Sequence, residues 1–164
     1  MGLKEAGLRG SLRSVSTGVG AIPDSVASRP NDDSTQQRDG TEGLEIEAKD
    51  NWPSIGCRIS ENTSGVTMAY LEETNEELIQ SVDISGLSSG ESFTFEDVNL
   101  LEGEKYFIRL DAEGDEYTLG FYDEPGGYPF ESDAVDITGR VNDDGNVDTD
   151  RPRSINDVGN TGFD

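Results

Sequence analysis

Apolar and polar residues alternate in short runs from Gly43 onward, and each run ends at glycine or acidic residues. Alternation with a period of two is the pattern of a half-buried antiparallel strand. The clearest runs lie between residues 90 and 130 and are centred on Phe93, Ile108 and Leu119. The pattern predicts strands at residues 44–48, 55–59, 66–71, 78–84, 93–95, 106–110, 117–121 and 134–138, with a last strand at 154–158.

Eight or nine short strands separated by glycine-rich turns are typical of an all-β domain. We therefore predict a single antiparallel β-sandwich, with jelly-roll-like or Ig-like wiring, over residues 43–164. Residues 23–42 contain few apolar residues and are rich in Pro, Ser, Asp and Gln, which predicts a flexible linker. Residues 1–22 form a separate N-terminal arm, interpreted below as a docking segment.

The net charge of the chain indicates the salt conditions in which this protein works. The chain carries 35 acidic and 12 basic residues, no histidine, and a net charge of −23. Such a fold repels itself at low salt, whereas at 1 M salt the Debye length is about 3 Å and the repulsion is screened. The composition is typical of a protein from a salt-accumulating halophile. It disfavours nucleic acid as a partner, because a polyanion is repelled by an acidic surface.

The N-terminal segment has the opposite sign. Residues 1–29 carry a net charge of +2, which leaves −25 on the rest of the chain. Leucines lie among its basic residues, so it has both an apolar side and an attractive charge. The alternative is a frayed terminus. The candidate docking residues are Leu3, Leu8, Arg9, Leu12 and Arg13.

No stretch reaches the roughly 20 apolar residues of a membrane span, and no secretory signal pattern is present at the N-terminus. We therefore expect no membrane insertion and no export by that route. The single cysteine, Cys57, is in phase with Ile55 and Ile59, which predicts a small buried core residue.

Candidate catalytic groups are not distinctive. Without histidine, neither a Ser-His-Asp nor a Cys-His arrangement can form. Carboxylate pairs for glycoside hydrolysis remain open, but 35 acids on a solvated surface offer pairs without singling one out. We predict a protein that is not an enzyme and needs no cofactor, with a glycan hydrolase as the rival hypothesis.

An acidic loop at residues 141–150 is similar to a calcium loop in its spacing of Asn, Asp and Gly. With Gly145 at position six, however, Arg140 and Arg151 fall where the first and last carboxylates should be, which excludes an EF-hand. A structural cation held in another geometry stays open beside a purely solvated loop. Its candidate ligands are Asp143, Asp144 and Asp148.

Four aromatic residues fall at predicted loops or strand ends, where their rings could stack on a sugar. The alternative is that they seal the core of the sandwich. These candidate ligand-binding residues are Trp52, Tyr122, Tyr128 and Phe130.

Two parts of the chain resemble known proteins. The N-terminal words GLRGSLRSVSTG and AIPDSV resemble the start of virion proteins from tailed viruses of halophilic archaea. The run from SGVTMAYLEE to DITGRV, with the closing INDVGNTGF, resembles the sandwich modules of their tail, fibre or spike proteins. The shared words are L-x-x-G-x-x-Y and Y-x-x-G-x-Y. An evident laminin-G domain, which often accompanies such modules, is missing, because the chain has room for one sandwich only.

The resemblance implies a non-enzymatic virion structural protein of a tail fibre, baseplate or capsid spike. Other virion proteins would hold it through residues 1–22, in a homo-oligomer, and the sandwich would serve particle architecture or adhesion to a host-surface glycan or glycoprotein. The resemblance supplies no ligand motif that can be carried over to residues here. A carbohydrate-binding module of a halophilic host is the alternative.

Overall fold

The computed structural model describes residues 25–124, 127–149 and 151–160. The predicted docking residues therefore lie outside the described part of the chain, and their role remains a prediction. The docking residues concerned are Leu3, Leu8, Arg9, Leu12 and Arg13.

Twelve β-strands and no α-helix occur in the described residues. The nine predicted strands each overlap an observed strand, and three short strands are additional. The strands are β1 (Val26–Ser28), β2 (Ser34–Arg38), β3 (Glu42–Ala48), β4 (Trp52–Ile59), β5 (Met68–Glu73), β6 (Leu78–Asp83), β7 (Ser92–Leu100), β8 (Lys105–Asp111), β9 (Tyr117–Phe121), β10 (Val135–Val141), β11 (Val147–Asp148) and β12 (Ile155–Gly159).

All strand pairs are antiparallel. One sheet has six strands in the order β11-β10-β3-β8-β5-β6, and a second has four in the order β1-β12-β4-β7. The remaining two strands, β2 and β9, pair with each other. The predicted all-β antiparallel sandwich is confirmed.

Alternating side chains from the two larger sheets form the core. Leu44 and Ile46 of β3 are fully buried, as are Ile55 and Cys57 of β4. Burying an aliphatic side chain of this size stabilises the fold by about 1.5–3 kcal/mol. The prediction that Cys57 is a core residue is confirmed.

The structure differs from the predicted flexible linker at residues 25–42. Strand β1 pairs with β12, and strand β2 pairs with β9 along its whole length. Ala27 is fully buried, and Arg29 is 3% exposed. A strand can pair through its backbone without an apolar side-chain pattern, so a polar stretch of this kind is read as a loop from sequence alone. The first described strand, β1, begins at Val26, 17 residues before the predicted boundary at Gly43.

A buried ion pair fixes the connection between β1 and β2. Arg29 Nη1 lies 2.7 Å from Asp32 Oδ1, with both side chains buried. Arg29 Nε donates to the carbonyl oxygen of Ile155 at 2.8 Å, and Asp32 Oδ2 accepts from the N–H of Asn62 at 3.1 Å. Burial lowers the pKa of the Arg29 guanidinium, against the opposing effect of Asp32. These bonds attach residues 29–32 to both the β12 strand and the loop after β4.

Candidate functional site

A polar pocket of about 330 Å³ opens where β2, the β10–β11 turn and the segment before β12 meet. Four arginines line it, although the described residues of this acidic chain contain only seven. We call it the arginine pocket. Its lining residues are Gln36, Arg38, Arg140, Asn142, Asp143, Asp144, Arg151 and Arg153.

A buried carboxylate organises two of these arginines. Glu42, the first residue of β3, is fully buried. Its Oε2 accepts from Arg38 Nη2 at 2.7 Å, and its Oε1 accepts from Arg153 Nη1 at 3.0 Å. Burial raises the pKa of the Glu42 carboxyl, while the neighbouring Arg38 lowers it. Glu42 thus holds arginines from two distant segments side by side.

The segment before β12 stacks on an aromatic ring. The guanidinium carbons of Arg151 and Arg153 lie 5.8 Å and 6.0 Å from the centre of the Phe121 ring. Arg151 Nη1 also lies 3.0 Å from Asp123 Oδ1, and both of these side chains are exposed. Arg153, by contrast, is 7% exposed. The pocket therefore has one buried arginine at its base and one at its open side.

The fourth arginine comes from β10. Arg140 Nε lies 2.9 Å from Asp148 Oδ1, across the β10–β11 pair. Its Nη1 is buried and has no hydrogen-bond acceptor among the described residues. The Nε of Arg153 is buried and without an acceptor in the same way. Within the described residues, these two guanidinium donors at the pocket therefore lack a partner, although buried donors are normally paired.

The β10–β11 turn is fixed to the β2–β3 turn. Asp143 Oδ1 accepts from the N–H of Thr41 at 2.9 Å and from its hydroxyl at 3.0 Å. Hydrogen bonds from Thr41 lower the pKa of the Asp143 carboxyl. A side chain at Gly40 would meet the Asp143 carboxylate at 2.7 Å, so the close approach requires glycine there. Asn142 closes the turn by accepting from the N–H groups of Asp144 and Asn146.

A second buried ion pair supports the same turn from behind. Arg109 of β8 lies 2.8 Å from Glu72 Oε1 of β5, and its Nη1 donates to the carbonyl oxygen of Asn142 at 3.2 Å. Burial raises the pKa of the Glu72 carboxyl, against the effect of Arg109. The turn is therefore held by Thr41 of the β2–β3 turn and by Arg109 of β8, which in turn pairs with Glu72 of β5.

The arrangement can bind an anion by hydrogen bonding. A guanidinium presents a planar fork of N–H donors that matches a carboxylate, sulfate or phosphate group. Gln36 and Asn142 add amide groups beside the arginines, and Asp143 and Asp144 add acceptors.

Comparison with known protein families, with curated proteins and with solved structures found no match to this chain. In the part of the chain that the structure describes, no helix is long and apolar enough to cross a bilayer.

The candidate metal ligands are placed but are not brought together as a cation site. Asp143 binds Thr41, and Asp148 pairs with Arg140. Asp144 lines the arginine pocket. Within the described ranges, no group of three or more His, Cys, Asp or Glu side chains has an arrangement that could hold a metal ion.

Three of the four candidate aromatic residues pack against the core. These are Trp52, Tyr128 and Phe130. Trp52 Nε1 donates to the carbonyl oxygen of Ala134 at 2.8 Å, and the Tyr128 and Phe130 rings lie 4.9 Å apart. This geometry favours the alternative in which they seal the sandwich. Tyr122 lies elsewhere, with its N–H donating to Pro152 beside the pocket arginines.

The arginine pocket was not predicted from the sequence, although the sequence contains one signal for it. Arg140 and Arg151 stand where a calcium loop needs carboxylates, and Arg153 follows two residues later. Arg140 and Arg151, whose presence excludes a calcium loop, thus place positive charge around the turn. The fourth arginine, Arg38, is about 100 residues away in sequence and arrives only through the β2–β9 pairing and Glu42.

Proposed function

We propose that this chain is a non-enzymatic structural protein of a virion surface, in a tailed virus of a halophilic archaeon. Residues 1–22 hold it to other virion proteins, and the sandwich is displayed for particle architecture or host adhesion. The observation that carries the proposal is the junction, along the chain, between a positively charged arm and an acidic sandwich. The sandwich begins at β1, an edge strand, immediately after that arm.

The junction matters because it makes the arm an anchor for a rigid body. Arg29 and Asp32 form a buried ion pair within a few residues of the first strand, which fixes the start of the sandwich. Ordering the arm costs about 1–2 kcal/mol per residue, which only a large partner surface or a symmetric oligomer can offset. Weak contacts from each displayed sandwich would then sum across the oligomer.

The experiment compares the full chain with a chain that begins at Asp24, by size-exclusion chromatography with light scattering in molar salt. A start at Gly43 would be unsuitable, because it removes β1, β2 and Glu42, the buried carboxylate that binds Arg153. We expect a defined oligomer from the full chain and a folded monomer from the shortened one. Identical masses for both would refute the role of the arm.

A matched pair of full-length variants separates the arm from general surface effects. Leu8→Asp combined with Leu12→Asp should dissociate the oligomer, because it removes the apolar side of the arm. Leu101→Asp is the control, since Leu101 is 47% exposed on the sandwich and its loss should leave the mass unchanged.

The alternative, a carbohydrate-binding module of a halophilic host, gains support from the arginine pocket. It requires a polar recess of ligand size, which the pocket provides. It predicts glycan binding by the chain that begins at Asp24, at the same affinity as by the full chain and without an oligomer.

A further inference from the structure

We propose that the arginine pocket binds a small hydroxylated ligand through its oxyanion group, as in an acidic monosaccharide that carries a carboxylate, sulfate or phosphate. This inference names what the displayed sandwich recognises and rests on the proposed function only for that biological role. The binding itself is argued from the pocket.

The arginines of the chain are concentrated at this pocket. Four of the seven arginines in the described residues line one pocket, whereas the chain as a whole has a net charge of −23. Grouping like charges costs free energy unless a counter-charge is present. Glu42, Asp123 and Asp148 form ion pairs with the four arginines, and Asp143 and Asp144 also line the pocket, so carboxylates balance the arginine charge and what a ligand can use is the N–H donors that stay unpaired. Two of the arginines share Glu42, so one carboxylate serves two cations.

Some buried N–H donors of the pocket arginines have no acceptor within the described residues. Arg140 Nη1 and Arg153 Nε are buried without an acceptor in the described structure, and both residues line the pocket. Leaving a buried, charged donor unpaired is unfavourable, because the group has lost its hydrogen bonds to water without gaining others. An oxyanion in the pocket would provide acceptors for these donors. Arg153 is 7% exposed, so its guanidinium is held in place before any ligand arrives.

Hydrogen bonds and ion pairs hold the residues that line the pocket in place. The Asp143–Thr41 bonds and the Arg109–Asn142 bond hold the β10–β11 turn, and Glu42 holds Arg38 and Arg153. A preformed site loses little side-chain entropy on binding. Exposed arginine pairs on a flexible loop would lack this property.

The remaining lining groups define the rest of the ligand. Asp143 and Asp144 add negative charge, which disfavours a highly charged polyanion, but their oxygens can accept from sugar hydroxyl groups. Gln36 and Asn142 supply amide groups that can donate and accept. A volume of about 330 Å³ is at the small end of ligand pockets, which suits one sugar ring.

The experiment is isothermal titration calorimetry of the full-length protein in molar potassium chloride, with chloride present throughout as a competing anion. The probes are glucuronate, glucose 6-sulfate, glucose 6-phosphate, glucose and inorganic sulfate. We expect at least one acidic sugar to bind and glucose not to bind, with inorganic sulfate weaker than the acidic sugar. No binding by any acidic sugar, or equal binding by glucose, would overturn the proposal. Inorganic sulfate binding as tightly as the sugar would overturn the ligand class.

Variants then locate the site. Arg140→Gln and Arg151→Gln should each weaken binding of the acidic sugar about tenfold, since a hydrogen bond to a charged group contributes roughly one such factor or more. Arg58→Gln is the matched control, because Arg58 also forms a half-exposed ion pair, with Asp157, but lies on β4 outside the pocket. Equal weakening by Arg58→Gln would show non-specific charge attraction and refute the site.

If Arg140→Gln does not fold, Arg140→Lys tests the same position. It keeps the charge and loses the planar fork, so it should also weaken binding. Arg151→Gln removes an exposed ion pair and should fold in any case. Absent binding together with an intact oligomer would refute this inference alone, whereas binding by a protein that stays monomeric would refute the docking arm alone.

Discussion

At the scale of single residues, Glu42 is the most consequential side chain. It is fully buried and its two oxygens bind Arg38 and Arg153. Replacing Glu42 by Gln leaves Arg153 buried without its partner, and removing one member of a buried ion pair typically costs about 3–5 kcal/mol. We expect Glu42→Gln to lower the free energy of unfolding by about 3 kcal/mol, measured by denaturant titration in molar salt.

The control for this prediction lies on the same strand. Glu47 is half-buried and forms no side-chain ion pair within the described residues. Glu47→Gln should change the free energy of unfolding by no more than about 0.5 kcal/mol. If the two variants were equally stable, the Glu42 network would be a solvated cluster rather than a buried one.

At the scale of structural elements, Asp143 connects the β10–β11 turn to the β2–β3 turn through Thr41. These bonds lower the pKa of Asp143 below its ordinary value of 3.8. A depressed pKa means that the stabilising contribution is complete above 3.8 and is lost as the pH falls through the folded-state pKa. The Thr41 amide resonance should therefore shift with a midpoint below 3.8 in an NMR titration.

Two variants decide this prediction. Asp143→Asn should abolish the titration of the Thr41 amide resonance. The carboxylate that accepts the hydrogen bond of this amide, and whose protonation the resonance reports, is then gone. Asp144→Asn, on the same turn, should leave the titration unchanged. A Thr41 midpoint at or above 3.8 would contradict the connection between the turns.

The strands also show how much of the fold could be predicted from the sequence. Eight of the nine predicted strands bury apolar residues, as Leu44 and Ile46 do in β3, and the ninth, β6, packs the partly buried Ile79 and Val82 against the core. Strand β2 was missed because its residues, Ser34 to Arg38, are all polar, and it is held by the backbone ladder to β9. Strand β11 has only two residues, which is too short for a periodic pattern.

The arginine pocket could not be predicted from the sequence, for a related reason. Its members come from β2, from β10 and from the segment before β12, and local periodicity carries no information on such long-range neighbours. Arg38 reaches Arg153 only through Glu42, a charged residue at a strand position where a pattern of apolar side chains gives no signal. The aromatic candidates illustrate the converse, since Trp52 and Phe130 at strand ends pack on the core.

At the scale of the whole molecule, the charge of −23 opposes folding unless salt screens it. Individual ion pairs do not offset this, because the chain has only 12 basic residues for 35 acidic ones. The apolar core between the two sheets is the main contribution to stability against this charge repulsion. Molar salt leaves that core intact and screens the repulsion. Stability should therefore rise steeply with salt.

Cys57 offers a direct measure of that dependence. Its side chain is fully buried, and burial raises the pKa of the thiol, so a thiol reagent reaches it only when the sandwich opens. We expect labelling of Cys57 to be fast at low salt and at least about tenfold slower in molar potassium chloride, in step with a rise in the melting temperature by circular dichroism. An uncharged osmolyte at equal osmolality is the control, because it does not screen charge and should slow labelling less. Equal labelling rates and equal melting temperatures at both salt concentrations would mean that the acidic surface is not what limits the stability of this fold.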